Sequence, residues 1–368
     1  MSEMIHQAIF RELEGWAPKT FAYDWDNVGL QVGSISDKTE AVLVTLDVND
    51  AVVDEAIRLG ANVIVSHHPM LFKPLKTIDF NTPKGKLVRK LIKHDITVYA
   101  SHTNLDIAEG GVNDLLAEKI GIENVQPMVV THEEPLYKLA VFTPVDHVNE
   151  VVDALSEAGA GHIGNYSHCT FQAPGTGTFK PLEGANPYIG TQHKIERVEE
   201  LKIETIVPET LLKNVVEAML KAHPYEEVAY DIYPLKNEGK KYGLGRIGTL
   251  KEVVNFHQLI EMTKKVLDVR HVRYVGDLDK QVKRVAVLGG SGEKYIHKAK
   301  QLGADAYITG DVTFHQAQDA KDNGLALIDA GHYIEQVMKE ATKRFIEERF
   351  PSLNVYVSNV NTDPFQFL

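Results

Sequence analysis

Short apolar runs recur along the chain between polar, glycine-bearing stretches, and runs of that length mark strands. Val42-Leu43-Val44 begins one strand and Val63-Ile64-Val65-Ser66 another. The helical stretch between them ends Ala56-Ile57-Arg58-Leu59-Gly60-Ala61-Asn62. Toward the far end, Val285-Ala286-Val287-Leu288 and Ala306-Tyr307-Ile308-Thr309 bracket a helix ending Ala299-Lys300-Gln301-Leu302-Gly303-Ala304-Asp305. In each ending the glycine supplies a left-handed helix cap. Both segments predict a strand-helix-strand unit with a right-handed parallel crossover. A third strand follows in each copy. Residues 96–102 end in His102 with Asp106 four residues on, and residues 326–332 end in His332 with Glu335 three residues on. At either spacing a histidine and a carboxylate share one face of a helical turn. The pattern thus predicts an α/β core of two duplicated βαβ halves whose strand ends meet around one cleft.

The middle of the chain has another rhythm. Strands are expected at residues 136–142, 166–172, 198–207 and 228–233, helices at 147–158 and 209–222, and a Gly/Pro-rich loop at 173–190. The order strand-helix-strand-strand-helix-strand is the split βαβ, ferredoxin-like pattern. Residues 131–236 therefore read as a domain inserted between core halves at 1–130 and 237–368, with the polar stretch from Lys236 to Lys241 as its return linker.

Composition narrows the class. Size (368 residues) calls for more than one domain, and 43% apolar with 24% charged residues is ordinary globular usage. A net charge of −12, from 51 acidic and 39 basic residues, argues against nucleic acid as the main partner. The N-terminus lacks the layout of a signal peptide, and no apolar run approaches the roughly 18 residues needed to span a bilayer. Cys169 is the only cysteine, which removes internal disulfides and cysteine-rich metal sites. The expectation is a cytoplasmic protein in which nitrogen and oxygen atoms hold any metal.

Candidate chemistry centres on Ser66-His67-His68-Pro69, where a buried strand gives way to a loop. Neighbouring strand residues point to opposite faces, so adjacent histidines are placed to serve two ions on either side of the backbone. Gly289-Gly290-Ser291-Gly292 sits between a strand and a helix, a setting for a phosphate cradle at Gly290 and Gly292 or for a plain tight turn. Asp311, by its place in the repeat, matches His68, and either it or His315 could line the cleft or serve structure. Arg246 suits an anion contact or a salt bridge. Trp25 is expected at the cleft rim, with Asp26 able to orient a ligand histidine. His223-Pro224-Tyr225-Glu226-Glu227 could suggest another metal site, but a histidine before a proline reads first as a turn.

These motifs together resemble the GTP cyclohydrolase 1 type 2 homologues, also called the Nif-three-like proteins. The matching stretches include Trp25-Asp26-Asn27-Val28-Gly29-Leu30-Gln31-Val32-Gly33, Ser66-His67-His68-Pro69 and Ser101-His102-Thr103-Asn104-Leu105-Asp106. Gly243-Leu244-Gly245-Arg246-Ile247-Gly248, Leu288-Gly289-Gly290-Ser291-Gly292, Thr309-Gly310-Asp311 and Ala330-Gly331-His332-Tyr333 complete the set in the second half. The inserted segment resembles the PII/CutA-like domain of longer bacterial members. The resemblance implies a cytoplasmic toroidal homohexamer with two divalent ions per subunit. It implies His67, His68, Asp106, His332 and Glu335 as their ligands, with Glu335 bridging. Many members place that glutamate four residues after the histidine, whereas here the spacing is three. Three imidazoles and two carboxylates suit zinc first, with iron or manganese as alternatives. His102 is not a carried-over ligand; its repeat position near the metals fits proton transfer or a hydrogen-bonded core histidine. The activities in view are hydrolytic opening of a nucleotide ring, phosphoester hydrolysis, or a metal-stiffened regulatory module that binds a small molecule. Phosphorylated small molecules and further copies of the chain are the expected partners.

Overall fold

In the computed structural model, which describes residues 4–367, the duplicated strands pair as the apolar pattern demands. Ala41–Thr45, Val63–Ser66 and Thr97–Ala100 form one parallel ladder, and Gln281–Ser291, Ala306–Gly310 and Ala326–Asp329 form the other. The first three strands are buried at every residue. Parallel strands covered on both faces need apolar side chains on both, which is why these runs do not alternate. An antiparallel strand flanks the third strand of each ladder, Gly29–Val32 in one half and Arg273–Val275 in the other. Asn354–Val357, from the C-terminal end, adds itself parallel to Ala41–Thr45, which sequence reading did not anticipate. The second sheet is extended by Lys241–Asn255 and Ile122–Glu133. Helices fix their ends locally: Asn49 accepts from the Val52 amide at the start of Asp50–Leu59, and Asn255 and Gln258 form a reciprocal capping box.

The chain divides into two compact units, one made of residues up to His132 and from Tyr242 onward, the other Glu133–Lys241. In the second unit the antiparallel sheet runs Thr170–Phe179, Glu196–Pro208, Leu136–Pro144, Tyr230–Pro234, with helices Val148–Glu157 and Glu209–Ala222. That strand order and connectivity is ferredoxin-like. Val151, Leu155, Val215 and Met219 pack on Leu139, Val141, Ile203 and Val207, so the helices cover one face of the sheet. Side-chain alternation places Phe142, Glu200 and Lys202 on the other face.

One expected boundary is wrong. The strand placed at 166–172 runs Thr170–Phe179 and absorbs the first part of the predicted loop, residues 173–179. His168 has φ 58°, which breaks the extended run before it. Pro174 and its glycines are tolerated because this is an edge strand, paired from Thr170↔Thr205 to Phe179↔Glu196 on one side alone. Among the described residues no helix is long and apolar enough to cross a membrane.

Candidate metal centre

The ends of the two parallel ladders supply the site. His67 and His68 continue the strand Val63–Ser66, their amides bonding to the Thr45 and Leu46 carbonyls at 3.2 and 3.0 Å. His67 is fully buried and His68 partly so, and their rings diverge by 47°. Their Nε2 atoms both face Glu335, but their remaining neighbours differ. His67 gathers with Asp106 and Glu335, and His68 with His332 and Glu335. A third group joins His67 and His68 to His102.

Each of these imidazoles is held by its Nδ1. His67 Nδ1 lies 2.9 Å from the Ser101 carbonyl, His68 Nδ1 2.7 Å from Asp47, His102 Nδ1 2.9 Å from Asp26, and His332 Nδ1 2.7 Å from Asp311. A carbonyl or carboxylate oxygen can only accept, so every Nδ1 carries the proton and every Nε2 is left free to bind a cation or exchange a proton. Asp26 thus orients a histidine as the sequence suggested, though it is His102 and not one of the five expected ligands, while Asp311, expected to line the cleft or serve structure, holds His332. Asp47 and the Ser101 carbonyl were missed. Asp47 lies just past the strand Ala41–Thr45, in no motif, and only the fold brings it to His68.

Glu335 joins the two groups. Its Oε2 lies 3.7 Å from His67 Nε2, 3.1 Å from His68 Nε2 and 3.2 Å from His332 Nε2. The segment His332–Val337 is a 3₁₀ helix, not an α-helix. Residues three apart eclipse one another in a 3₁₀ turn, which explains how a spacing of three serves here. Asp106, on the short helix Thr103–Ile107, sits 3.6 Å from His67 Nε2.

The fit to a cation rests on two atoms. His67 Nε2 and Asp106 Oδ1 are buried and have no hydrogen-bond partner. Each such atom costs about 1–3 kcal/mol unless something satisfies it. In addition, His68 Nε2 and His332 Nε2 face each other at 3.3 Å. Two lone pairs at that distance repel unless a proton or a cation lies between them. Three imidazole nitrogens, two carboxylates and no sulfur suit a first-row divalent ion.

The electrostatics say the same. Burial pushes the His67 imidazole below its ordinary range despite Glu335. Burial also opposes charge on His68, but Asp47 and Glu335 outweigh it and hold the ring up at about 10. For His332 burial is overcome by Glu335 and Asp311, to about 9. Burial, reinforced by Glu335, raises Asp106 well above the carboxylate range. Burial acts to raise Glu335 too, yet His332, His67 and His68 hold it well below. The pocket calls for positive charge, which protons or divalent cations can supply.

The remaining candidates fall outside the donor set. Gly290 has φ +63°, and a Cβ built there would lie 2.5 Å from Glu335 Oε1, so its bareness makes room for the Glu335 carboxylate. A Cβ on Gly292 would collide with Thr309 Oγ1 and the Tyr307 hydroxyl. Both glycines thus accommodate the protein's own side chains. Arg246 forms an ion pair with Asp114 and donates to the Gly243 and Gly245 carbonyls, the structural alternative. His315 bonds to Gln318 on the surface, and His223 caps a turn against the Phe142 carbonyl. Trp25, 58% exposed, stacks on Tyr23 at 5.6 Å and approaches Phe72 and the edge of His102, forming an aromatic rim.

Comparison with known proteins bears on this geometry. The family model described as Duf34/NIF3 (NGG1p interacting factor 3) matches residues 4–364. The chain is 49% identical over 366 residues, 98% of each chain, to a GTP cyclohydrolase 1 type 2 homolog of Halalkalibacterium halodurans. It is 48% identical over 367 residues, again 98% of each, to the Bacillus subtilis protein of the same name. A solved Bacillus cereus protein related to NIF3 superposes with TM-score 0.93 at 49% identity, covering 100% of both chains. A Staphylococcus aureus structure follows at TM-score 0.77 and 34% identity over 100% of both.

Proposed function

The chain belongs to the Duf34/NIF3 family, and from that premise we propose that it is a hydrolase dependent on two divalent metal ions, acting on the ring of a nucleotide-like heterocycle. One observation carries the reading: His67 Nε2 and Asp106 Oδ1, buried and unpartnered, converge on the carboxylate that His68 and His332 also face. His67, Asp106 and Glu335 would hold one ion and His68, His332 and Glu335 the other, zinc first by ligand type. Such a pair supplies water acidified toward neutral pH and polarises an electrophilic carbon.

The chain's own groups do the rest. Asp26 holds His102 with its proton on Nδ1, leaving Nε2 to take a proton from water or pass one to a leaving nitrogen. Thr103 anchors Asp26 through both its amide, at 3.1 Å, and its hydroxyl, at 2.5 Å, so the pair is fixed before substrate arrives. Trp25 and Phe72, exposed at the rim, offer ring faces to a planar substrate, which favours a heterocycle over a simple phosphoester. The names of the relatives make GTP the first substrate to test. Chelator-sensitive release of formate from GTP supports the proposal. Phosphate release without formate, from GTP or from a phosphoester panel, would move it to phosphoester hydrolysis. No turnover with metals intact would favour a regulatory role. Self-association into a homohexamer is proposed alongside; exposed Tyr274, Phe314 and Val253 offer contact surface, and light scattering tests it.

A further inference from the structure

The second unit holds a cavity of about 680 Å³ on the helix-free face of its sheet. That size suits one small organic molecule. Its floor comes from the strands Leu136–Pro144, Thr170–Phe179 and Glu196–Pro208, and its roof from the loop that follows Phe179. The walls are largely apolar and aromatic. Phe179 and Tyr188 both approach Tyr225, with ring centroids 5.9 and 6.4 Å away. The Asn186 amide bonds to Glu226 at 2.8 Å, and the Tyr188 hydroxyl lies 3.0 Å from His147 Nε2, so the roof is tied down at two points.

The charge inside is one-sided. Glu200, only 8% exposed, lines the cavity. The Tyr225 hydroxyl donates to its Oε1 at 3.0 Å, and no protein donor among the described residues reaches its Oε2. The carboxylate lies against Gly177, where any Cβ would fall onto Oε2 and within 2.6 Å of Cδ. A side chain at Gly177 would therefore push this carboxylate from its seat. Glu226 and Glu227 also line the space but are exposed, and Glu226 is taken by the Asn186 amide, so Glu200 is the buried charge. Of the two lysines in the lining, Lys202 is paired with Glu204 at 2.6 Å and Lys180 is exposed. A largely buried carboxylate with an oxygen open to the cavity favours a cationic partner over an anionic one, and aromatic faces attract cations as well.

We propose that this cavity binds a small organic cation, a protonated amine carrying an apolar body. The ammonium head sits against Glu200 Oε2, and the body lies among Phe142, Phe179, Tyr188 and Tyr225. The test is calorimetric titration of the full chain with phenethylamine, its neutral analogue 2-phenylethanol and its acidic analogue 3-phenylpropionate. Each is run on metal-loaded and chelator-treated protein. Phenethylamine is expected to saturate, with the same affinity in both preparations, and to bind roughly tenfold or more tighter than either analogue. Glu200→Gln should weaken the amine by roughly tenfold and leave the alcohol unchanged. Should that variant misfold, Tyr188→Ala, at the exposed roof, should weaken the amine while circular dichroism stays unchanged. Absence of saturable amine binding, equal binding of the acid or alcohol, an unmoved affinity in Glu200→Gln or in a folded Tyr188→Ala, or binding that vanishes with the metal would overturn the proposal.

Discussion

Glu335 is the residue on which the candidate metal centre turns, because one carboxylate oxygen lies within reach of three imidazole nitrogens. Glu335→Ala is therefore expected to lower metal content more than His67→Ala, His68→Ala or His332→Ala alone, read by elemental analysis of the folded variants. The same residues set a pH dependence. His68 and His332 are raised from 6.5 to about 10 and about 9, so in chelator-treated protein their stabilising contribution is complete below pH 6.5. It is lost as pH rises through those higher values. Asp106, also raised, acts in the same direction. The melting temperature of chelated protein should thus fall between pH 6.5 and 10, while metal-loaded protein changes far less there. A chelated protein whose melting temperature rises over that window would contradict the electrostatic picture. At this scale the sequence was legible where histidines and carboxylates stood in motifs. Asp47, which orients His68, was invisible, since a lone aspartate after a strand carries no spacing signal.

At the scale of elements, the duplicated ladders were readable because fully buried parallel strands leave uninterrupted apolar runs. The edge strand Thr170–Phe179 was misread because its proline and glycines imitate a loop, and only pairing with Glu196–Pro208 shows otherwise. The strand Asn354–Val357 was missed for a related reason: it is four residues long and gains its partner from the far end of the chain. The 3₁₀ turn His332–Val337 matters most for function, since it turns a three-residue spacing into a shared ligand face. Gly290 packs directly against that turn. Gly290→Ala should therefore displace Glu335 and deplete metal without unfolding the protein. Circular dichroism combined with metal analysis checks this, and full metal retention would show that the turn has more slack than the contact allows.

For the whole molecule, two self-contained cores make the inserted unit separable. Ile122–Glu133 and Lys241–Asn255 are neighbours in one sheet, and the Thr131 hydroxyl reaches the Tyr242 carbonyl at 3.5 Å, so a short linker can close the gap. Replacing residues 133–241 with Gly/Ser should leave a folded protein that still binds metal, because all donors lie in the first unit. An unfolded product, or a folded one without metal, would show that the insert completes the core. The central claim, a dinuclear centre built by two halves of a duplicated fold, meets its most direct test in the metal content of chelator-free protein. Elemental analysis is expected to give about two divalent ions per chain, falling by about half or more when His67 or His68 becomes alanine. A content near zero in the intact chain, or one that neither substitution moves, would contradict it.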